Sequence, residues 1–292
     1  MKTGLFVLLS VCIISSVKAQ DATDAEKTEK HSYGKFSLSY LSNSVYNGRK
    51  DSLAIPYLTA SLGYYNKHGY YVNADLNYLA QSGNGRIDLL ELTAGYNFES
   101  GNWEGDFNGF KSFYHTDSKN LRSSIDGGVS GYTAYDLNFI KPSIQAGLNF
   151  GTKTDYIAAI GLEHSFEAFD DNLEITPSFL ANAGTYNYYG SYYQKRKFGR
   201  RKKTGSGTLN KTTVDVSDAE NFRLQDYEFS LPVDYYTRNF HIGFIPTYAI
   251  PVNPATVSVQ TTSSTGTIIP KKIFTEPLSN SFFFSIEISY KF

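Results

Sequence analysis

The fold is decided by the last stretch of the chain, Ser281-Phe282-Phe283-Phe284-Ser285-Ile286-Glu287-Ile288-Ser289-Tyr290-Lys291-Phe292. Every second residue from Phe282 to Phe292 is apolar or aromatic. The residues between them are Phe283 and four polar residues. A period of two places alternate side chains on opposite faces of a strand, so the stretch predicts a strand with one apolar and one polar face.

Tyr290 and Phe292 occupy the antepenultimate and final positions of this strand. The ending resembles the C-terminal strand of Gram-negative outer-membrane β-barrel proteins, in which aromatic residues at these two positions form the assembly signal. The resemblance implies an all-β transmembrane, antiparallel, up-and-down barrel that the barrel-assembly machinery recognises through its C-terminal strand. It also implies contact with outer-membrane lipid and lipopolysaccharide. It extends over nearly all of the chain after residue 19 and points to the general superfamily, not to a family of known substrate.

The beginning of the chain predicts export. A short basic start, an apolar run too short to span a bilayer, and Val17 and Ala19 at the −3 and −1 positions predict a secretory signal peptide, residues 1–19. A lipoprotein signal ending at Cys12 is the alternative. Residues 20–34 predict a flexible periplasmic tail because they are mostly charged and polar. The barrel is then expected over residues 35–292, with both termini in the periplasm of a Gram-negative outer membrane.

Composition limits the chemistry. Cleavage after Ala19 would remove Cys12, the single cysteine, and so exclude disulfides, thiol nucleophiles and cysteine metal sites. The formal net charge of −1 does not indicate nucleic-acid binding, and no cofactor motif is present. The 24 Tyr and 21 Phe suit strands and the aromatic girdles of a membrane barrel.

Hydropathy is consistent with a barrel. The mean hydropathy of −0.33 fits alternating lipid-facing and lumen-facing residues. No segment after residue 19 has the long apolar run of a membrane helix, so a chain that crosses a bilayer must do so as a closed barrel. A soluble β-sandwich is the alternative for alternating strands.

The alternation predicts about twelve strands. Ten or fourteen remain open because the fifth and sixth are rich in glycine. An even number returns both termini to the same side, and the two longest connections, residues 194–221 and 251–277, then lie outside the cell. The predicted strands are 35–46, 54–65, 70–80, 88–98, 103–114, 127–138, 142–150, 155–166, 173–193, 222–235, 240–250 and the C-terminal strand.

The strand phase predicts an acidic lumen. Charged side chains facing lipid are costly, so acidic residues in phase with the polar face are expected to point inward. Such a lumen would concentrate cations. Alternatively, inward-folded loops supply Arg and Lys that pair with the acids and close the lumen. The inward acids are Asp75, Glu91, Glu163, Asp226, Glu228 and Glu287.

A basic run lies in the first long connection and is expected on an external loop. In that position the nearest dense anions are lipopolysaccharide phosphates, which Lys and Arg bind strongly. A solvated loop without a ligand, or a specific partner, are the alternatives. The candidate contact residues are Lys195, Arg196, Lys197, Arg200, Arg201, Lys202 and Lys203.

Catalytic motifs are weak. The chain has five histidines but no Gly-x-Ser-x-Gly and no glycine-rich phosphate loop. The sequence favours a non-enzymatic protein: a narrow pore or transport-type barrel for small hydrophilic solutes. The alternatives are a plugged barrel whose long loops bind lipopolysaccharide or a partner and an outer-membrane lipase or protease. An enzyme would require a His with acidic and hydroxyl partners close in space.

Overall fold

Strand formation follows the alternation of the sequence almost from the first described residue. The computed structural model describes residues 31–198, 211–263 and 268–292. The predicted signal peptide, residues 1–19, and residues 20–30 of the predicted tail lie outside the described residues. The first strand begins at Tyr33, two residues before the predicted start of the barrel.

Within these ranges, twelve antiparallel strands close into a barrel. Each strand pairs with its neighbours in sequence, and the last pairs with the first, placing Phe36 opposite Tyr290 and Leu38 opposite Ile288. Closure leaves the barrel without an edge strand. The predicted up-and-down barrel of about twelve strands is confirmed. The strands are Tyr33–Leu41, Tyr57–Tyr65, Tyr70–Leu79, Arg86–Ser100, Trp103–Tyr114, Ile125–Tyr135, Lys141–Gly151, Asp155–Glu163 continued by Phe166–Ala168, Leu173–Ile175 continued by Ser178–Gly184, Arg223–Ser230 continued by Val233–Tyr236, Phe240–Pro251 and Ser281–Lys291.

The outer face of the barrel is apolar. Leu62 on the second strand and Ile160 on the eighth are about three-fifths exposed, at 59% and 61%. Exposure of apolar surface to water costs roughly 25 cal/mol of free energy per Å². An apolar band around a closed barrel is therefore a surface that faces lipid. The chain is therefore a transmembrane β-barrel, which is the architecture of an outer-membrane protein.

The ninth strand is shorter than predicted. It ends at Gly184, and residues Asn187–Phe198 form a helix where the sequence predicted strand to residue 193. The Asp155 carboxylate accepts the backbone N–H groups of Asn187 and Tyr188 at 2.6 and 2.9 Å, which satisfies the first turn of the helix. Among the described residues, no helix is long and apolar enough to span a bilayer.

The two ends of the barrel differ. At the terminal end, Gly34 and Phe292 exchange backbone hydrogen bonds of 2.9 and 3.0 Å. At the opposite end, the loop end, the two long connections build a three-stranded antiparallel sheet outside the barrel, the loop sheet. Its strands are Lys211–Ser217, Thr256–Thr262 and Ile268–Thr275.

Candidate pore and its plug

The six acidic residues predicted for the lumen lie at buried or partly exposed positions of the barrel strands. Asp75, Glu91 and Glu287 are 3–4% exposed and lie at inward positions of their strands. Glu163 is partly exposed at the end of the eighth strand. Asp226 and Glu228 are 0% and 3% exposed, on the tenth strand. Each lies on the face opposite the lipid-facing band.

Two of the six acids, Glu287 and Glu163, pair with bases on neighbouring strands. Glu287 pairs with Lys35 at 3.2 Å, and both side chains are nearly buried. Lys141 lies 3.3 Å from Glu163 and 3.3 Å from Glu104. These partners come from neighbouring strands, so they brace the wall and do not fill the lumen.

Within the described residues, one of the six acids, Glu91, meets a base from an inward-folded loop. The Arg122 guanidinium lies 4.0 Å from the Glu91 carboxylate. Arg122 belongs to the one-turn 3-10 helix Leu121–Ser124, between the fifth and sixth strands. It also stacks over the rings of Tyr46 and Phe110, at 5.6 and 5.3 Å. Loop-to-acid pairing, the expected way of closing the lumen, therefore occurs here.

The other acids have no basic partner in an ion pair within the described part of the chain. Asp75 accepts hydrogen bonds from the Ser61 hydroxyl and from Asn73 Nδ2, the latter at 2.8 Å. Asp226 and Glu228 are two residues apart on the tenth strand and lie on the same face. Beside the ion-paired acids, the wall therefore keeps an excess of negative charge.

A plug enters the lumen from the first connection at the loop end. Residues 42–56 contain a two-residue hairpin, Val45–Tyr46 paired with Arg49–Lys50, and this plug hairpin turns inward. The sequence predicted strand to residue 46, a polar turn and a second strand from residue 54, whereas the first strand ends at Leu41 and the second begins at Tyr57. Asn47 and Gly48 have φ of 48° and 70°, so the turn needs the left-handed conformations that Asn and Gly adopt readily.

The plug hairpin reaches across the lumen. Tyr46 Oη accepts a 2.8 Å hydrogen bond from Asn149 on the seventh strand, half the circumference away from the first. Asn47 Nδ2 donates to Gln225 Oε1 on the tenth strand. Burial raises the pKa of Tyr46 to about 12, so its hydroxyl stays neutral. The hairpin is thus tied to opposite walls of the barrel.

An apolar cluster holds the near side of the plug. Val45 and Ile55 are 3% and 2% exposed. They pack against inward side chains at the loop end of the first, second, third, eleventh and twelfth strands, which are Leu41, Tyr57, Leu79, Ala249 and Phe283. Burial of each aliphatic side chain stabilises the seated plug by about 1.5–3 kcal/mol.

A buried ion pair ties the plug to the loop sheet. Arg49 Nε lies 3.2 Å from Glu276 Oε2, and the two side chains are 2% and 6% exposed. The Arg49 guanidinium also donates to the carbonyls of Asn47 and Asn253, at 3.2 and 3.1 Å. Burial alone would lower the pKa of Arg49, but the tyrosines and Glu276 raise it above its ordinary value, so Arg49 stays charged.

The helix covers the plug with tyrosines. Tyr192 Oη donates a 2.6 Å hydrogen bond to Asp51 Oδ2 at the end of the plug hairpin. Tyr188 packs edge-on against Tyr46, with ring centroids 4.9 Å apart. Burial raises the pKa of Tyr188 well above its ordinary value. The helix therefore forms the upper layer of the closure.

The loop before the 3-10 helix completes the closure. Asn120 Nδ2 donates to Ser44 Oγ at 3.0 Å and to Tyr57 Oη at 3.3 Å. Asp88, which is 1% exposed, accepts from Ser118 Oγ at 2.6 Å. These polar contacts leave a small cavity of about 30 Å³ between Ser44 of the plug and the wall, enough to hold a buried water.

A His with acidic and hydroxyl neighbours does occur near the terminal end. His241 Nε2 lies 2.7 Å from Asp234 Oδ1, and Nδ1 lies 3.5 Å from Ser289 Oγ. Nδ1 is also 3.8 Å from Glu287 Oε1. Both ring nitrogens therefore face carboxylates, and the 3.5 Å separation from Ser289 Oγ is long for a hydrogen bond. The group is an ion-pair cluster in form, not an activated nucleophile.

The basic run is only partly described. Lys195, Arg196 and Lys197 lie in the helix Asn187–Phe198 and not on the predicted loop. Burial lowers the pKa of the half-buried Lys195, which lies near Asp88 and Asp117. The other four candidates, Arg200, Arg201, Lys202 and Lys203, lie outside the described residues.

The aromatic residues of the predicted assembly signal face outward at the terminal end. Tyr290 is 40% exposed and packs against Phe240 of the neighbouring strand, with centroids 4.9 Å apart. Phe292 is 64% exposed, stacks on Tyr290 and covers Gly34. A side chain at Gly34 would clash with that ring.

Comparison with protein-family models and with curated proteins found no match. Among solved structures, the chain is similar to the KdgM porin, with 8% identity, a TM-score of 0.42 and coverage of 89% of this chain and 99% of that chain. It is also similar to the NanC porin, with 8% identity, a TM-score of 0.45 and coverage of 89% and 100%. A bacterial polysaccharide outer membrane secretin gives 8% identity, a TM-score of 0.38 and coverage of 90% and 99%. These values describe barrels that share little sequence with this chain and do not superimpose closely on it.

Proposed function

We propose that the protein is a narrow, gated pore of the outer membrane for small hydrophilic solutes, with a preference for cations. The observation that carries the proposal is the polar, acidic lumen wall, in which Asp75, Asp226 and Glu228 form no ion pair with a described basic residue. Twelve strands give a lumen wider than side chains alone fill and narrower than an open porin. Negative charge along such a passage raises the local concentration of cations.

The plug supports gating, because its release leaves the barrel whole. The plug hairpin pairs only with itself, and side chains hold it to the wall. Withdrawal would break those contacts and the Arg49–Glu276 ion pair without opening the barrel ladder. The structure is then the closed state of the pore.

A permanently plugged barrel is the second candidate. The same three segments favour it: the plug, the 3-10 helix and the tyrosine-rich helix all contact one another at the loop end. In that case the loop sheet and the basic run would act at the cell surface. The run, Lys195 to Lys203, would bind lipopolysaccharide phosphates through Lys and Arg.

Orientation and export belong to the same proposal. Residues 1–19 direct secretion, residues 20–34 form a periplasmic tail, and both termini face the periplasm. Tyr290 and Phe292 present the signal for the barrel-assembly machinery. The loop end, with its plug, then faces the outside of the cell. No catalytic role is proposed, because His241 lies between two carboxylates.

Conductance in a planar bilayer tests the gated pore. In the test variant a short Gly-Ser turn replaces residues 44–54, which removes the plug hairpin. The control is the same replacement of residues 82–85, an exposed loop at the same end that does not enter the lumen. The plug variant should conduct steadily, while the control and the intact protein should conduct rarely. An inserted plug variant without conductance would contradict the pore and favour the plugged barrel.

A further inference from the structure

A pair of buried carboxyl groups lies between the lumen wall and the plug hairpin. Asp226 and Glu228 are two residues apart on the tenth strand and point to the same face. They are 0% and 3% exposed. The pore needs negative charge along its passage, but a pair sealed behind the plug meets no solute in the closed state and so calls for another role.

The pair lacks the donors that buried carboxylates require. The Asp226 carboxyl faces Glu228 and Asn182, which is 6% exposed and lies opposite it on the ninth strand. Among the described residues, both Asp226 oxygens, Glu228 Oε2 and Asn182 Nδ2 complete no hydrogen bond. Two carboxylates buried without donors cost several kcal/mol each, so the site as two anions would be unstable.

The plug hairpin rests directly on this pair. A Cβ added at Gly48 would lie 2.7 Å from Asp226 Cβ and 2.9 Å from Pro251 Cβ, so the hairpin backbone touches the wall at this point. The adjacent Asn47 is hydrogen-bonded to Gln225, the residue before Asp226. Any swelling or hydration of the pair therefore acts on the turn of the hairpin.

The surrounding elements offer little compensating charge. The eleventh strand presents Pro251 and Ala249 opposite the pair, and the ninth presents Asn182 and Leu180. On the plug, Arg49 is the charged group that acts on Asp226, and its guanidinium is engaged with Glu276 and backbone carbonyls. The negative charge of the pair must therefore be reduced by a proton or a cation that the two carboxyl groups bind themselves.

We propose that Asp226 and Glu228 hold one proton between them and that this shared proton keeps the plug hairpin seated. Facing carboxyl groups share a proton because they cannot both ionise at short range. A calcium ion would need six or more oxygen ligands, whereas two carboxyls and one amide face this site. In the release step the carboxyl O–H bond breaks, the proton passes to water and the oxygen keeps the electron pair. The two adjacent anions then repel each other and draw in water beneath the hairpin.

Release of the hairpin should increase with pH. At low pH the proton is bound and the hairpin stays seated. As the pH rises and the proton leaves, the hairpin is released and the residues beneath it become accessible to water. The inference depends on the proposed function only in that the hairpin is the plug of a pore, and its test observes the hairpin without measuring current.

Access to a thiol on the plug hairpin tests the inference. Val45→Cys places a thiol on the hairpin itself, in the buried cluster that packs it against the wall, and the native Cys12 lies in the predicted signal peptide. The refolded full barrel, with residues 1–19 removed, is treated with a water-soluble, charged thiol reagent from about pH 5 to about pH 9, the span in which buried carboxyl pairs lose protons. Because thiol reactivity itself rises with pH, each rate is divided by that of the same cysteine in Asp226→Asn/Glu228→Gln.

The ratio should rise by about tenfold or more between the two ends of the range, since the amide pair cannot release a proton. Glu228→Gln alone should also abolish the rise, which provides a second variant if the double one folds poorly. Asp106→Asn, a lumen carboxyl hydrogen-bonded to Tyr71 at the other end of the barrel, should leave the rise unchanged. A constant ratio in folded protein would overturn the inference. A pH-dependent ratio with no conductance from the plug variant would refute the pore and leave this inference standing.

Discussion

Removal of the Arg49 charge should release the plug. Arg49 and Glu276 are nearly buried, 3.2 Å apart, and join the plug hairpin to the loop sheet. Arg49→Met keeps most of the apolar stem but leaves the Glu276 carboxylate buried without its cationic partner, although the Ala255 N–H still donates to it at 3.0 Å. Loss of one partner of a buried ion pair costs about 3–5 kcal/mol.

This cost in free energy corresponds to a large increase in the population of released hairpin. At about 1.4 kcal/mol per factor of ten, the population of released hairpin should rise by about two to three and a half orders of magnitude. Open probability in a planar bilayer and modification of Val45→Cys both measure this population. Lys50→Met is the matched control, because Lys50 is on the same hairpin but exposed, where it donates to the Asn280 carbonyl at 3.2 Å. It should change the population by less than about threefold, or about 0.5 kcal/mol.

A double-mutant cycle tests whether the pair acts as a unit. Glu276→Gln should release the plug to a similar degree, because it leaves Arg49 buried and unpaired. The double variant Arg49→Met/Glu276→Gln should cost less than the sum of the two, with a coupling of about 1–3 kcal/mol. Strictly additive costs, or Arg49→Met protein that folds and stays as closed as the parent, would refute the idea that this ion pair holds the plug.

Four further results are expected. Deletion of Phe292 should impair membrane assembly, because it removes the aromatic ring over Gly34 and the last ladder hydrogen bonds; normal heat-modifiable, inserted protein would contradict the assembly signal. Ser289→Ala should not alter reactivity toward an ester substrate or a fluorophosphonate probe, and probe labelling that depends on Ser289 would revive the enzyme interpretation. Neutralising the seven basic residues from Lys195 to Lys203 should weaken binding to lipopolysaccharide but not folding; unchanged binding would support a solvated segment. In the plug variant, Asp75→Asn should shift the reversal potential toward zero, because Asp75 is not ion-paired with any described base, and an unshifted potential would exclude Asp75 from selectivity.

The alternation of apolar and polar residues was sufficient to predict most of the barrel strands. The fifth strand, Trp103–Tyr114, has the predicted bounds, and the outward phase of the last strand follows its period of two. The error at the ninth strand has a physical cause. Tyr189 and Tyr192 are three residues apart, a helical spacing, and a carboxylate from another strand caps the helix. A run rich in tyrosine has high strand propensity, and only the tertiary contact reveals the helix.

The plug could not have been predicted from local sequence. The turn residues Asn47 and Gly48 indicate a hairpin, but nothing near them indicates its direction. The hydrogen bond that draws it inward joins Asn47 to Gln225, 178 residues away. The positions of the lumen acids required only the strand phase. The sequence did not predict which of these acids have basic partners. That depends on the register between strands and on the inward loop that carries Arg122.

The most direct test of the gated pore is ion selectivity of the barrel without its plug. The variant with residues 44–54 replaced is inserted in a planar bilayer, and its reversal potential is measured under a salt gradient. A steady conductance with a reversal potential of the sign for cations is predicted, because the lumen acids exceed their basic partners. A reversal potential of the anion-selective sign, or no conductance from protein shown to be inserted, would contradict the account.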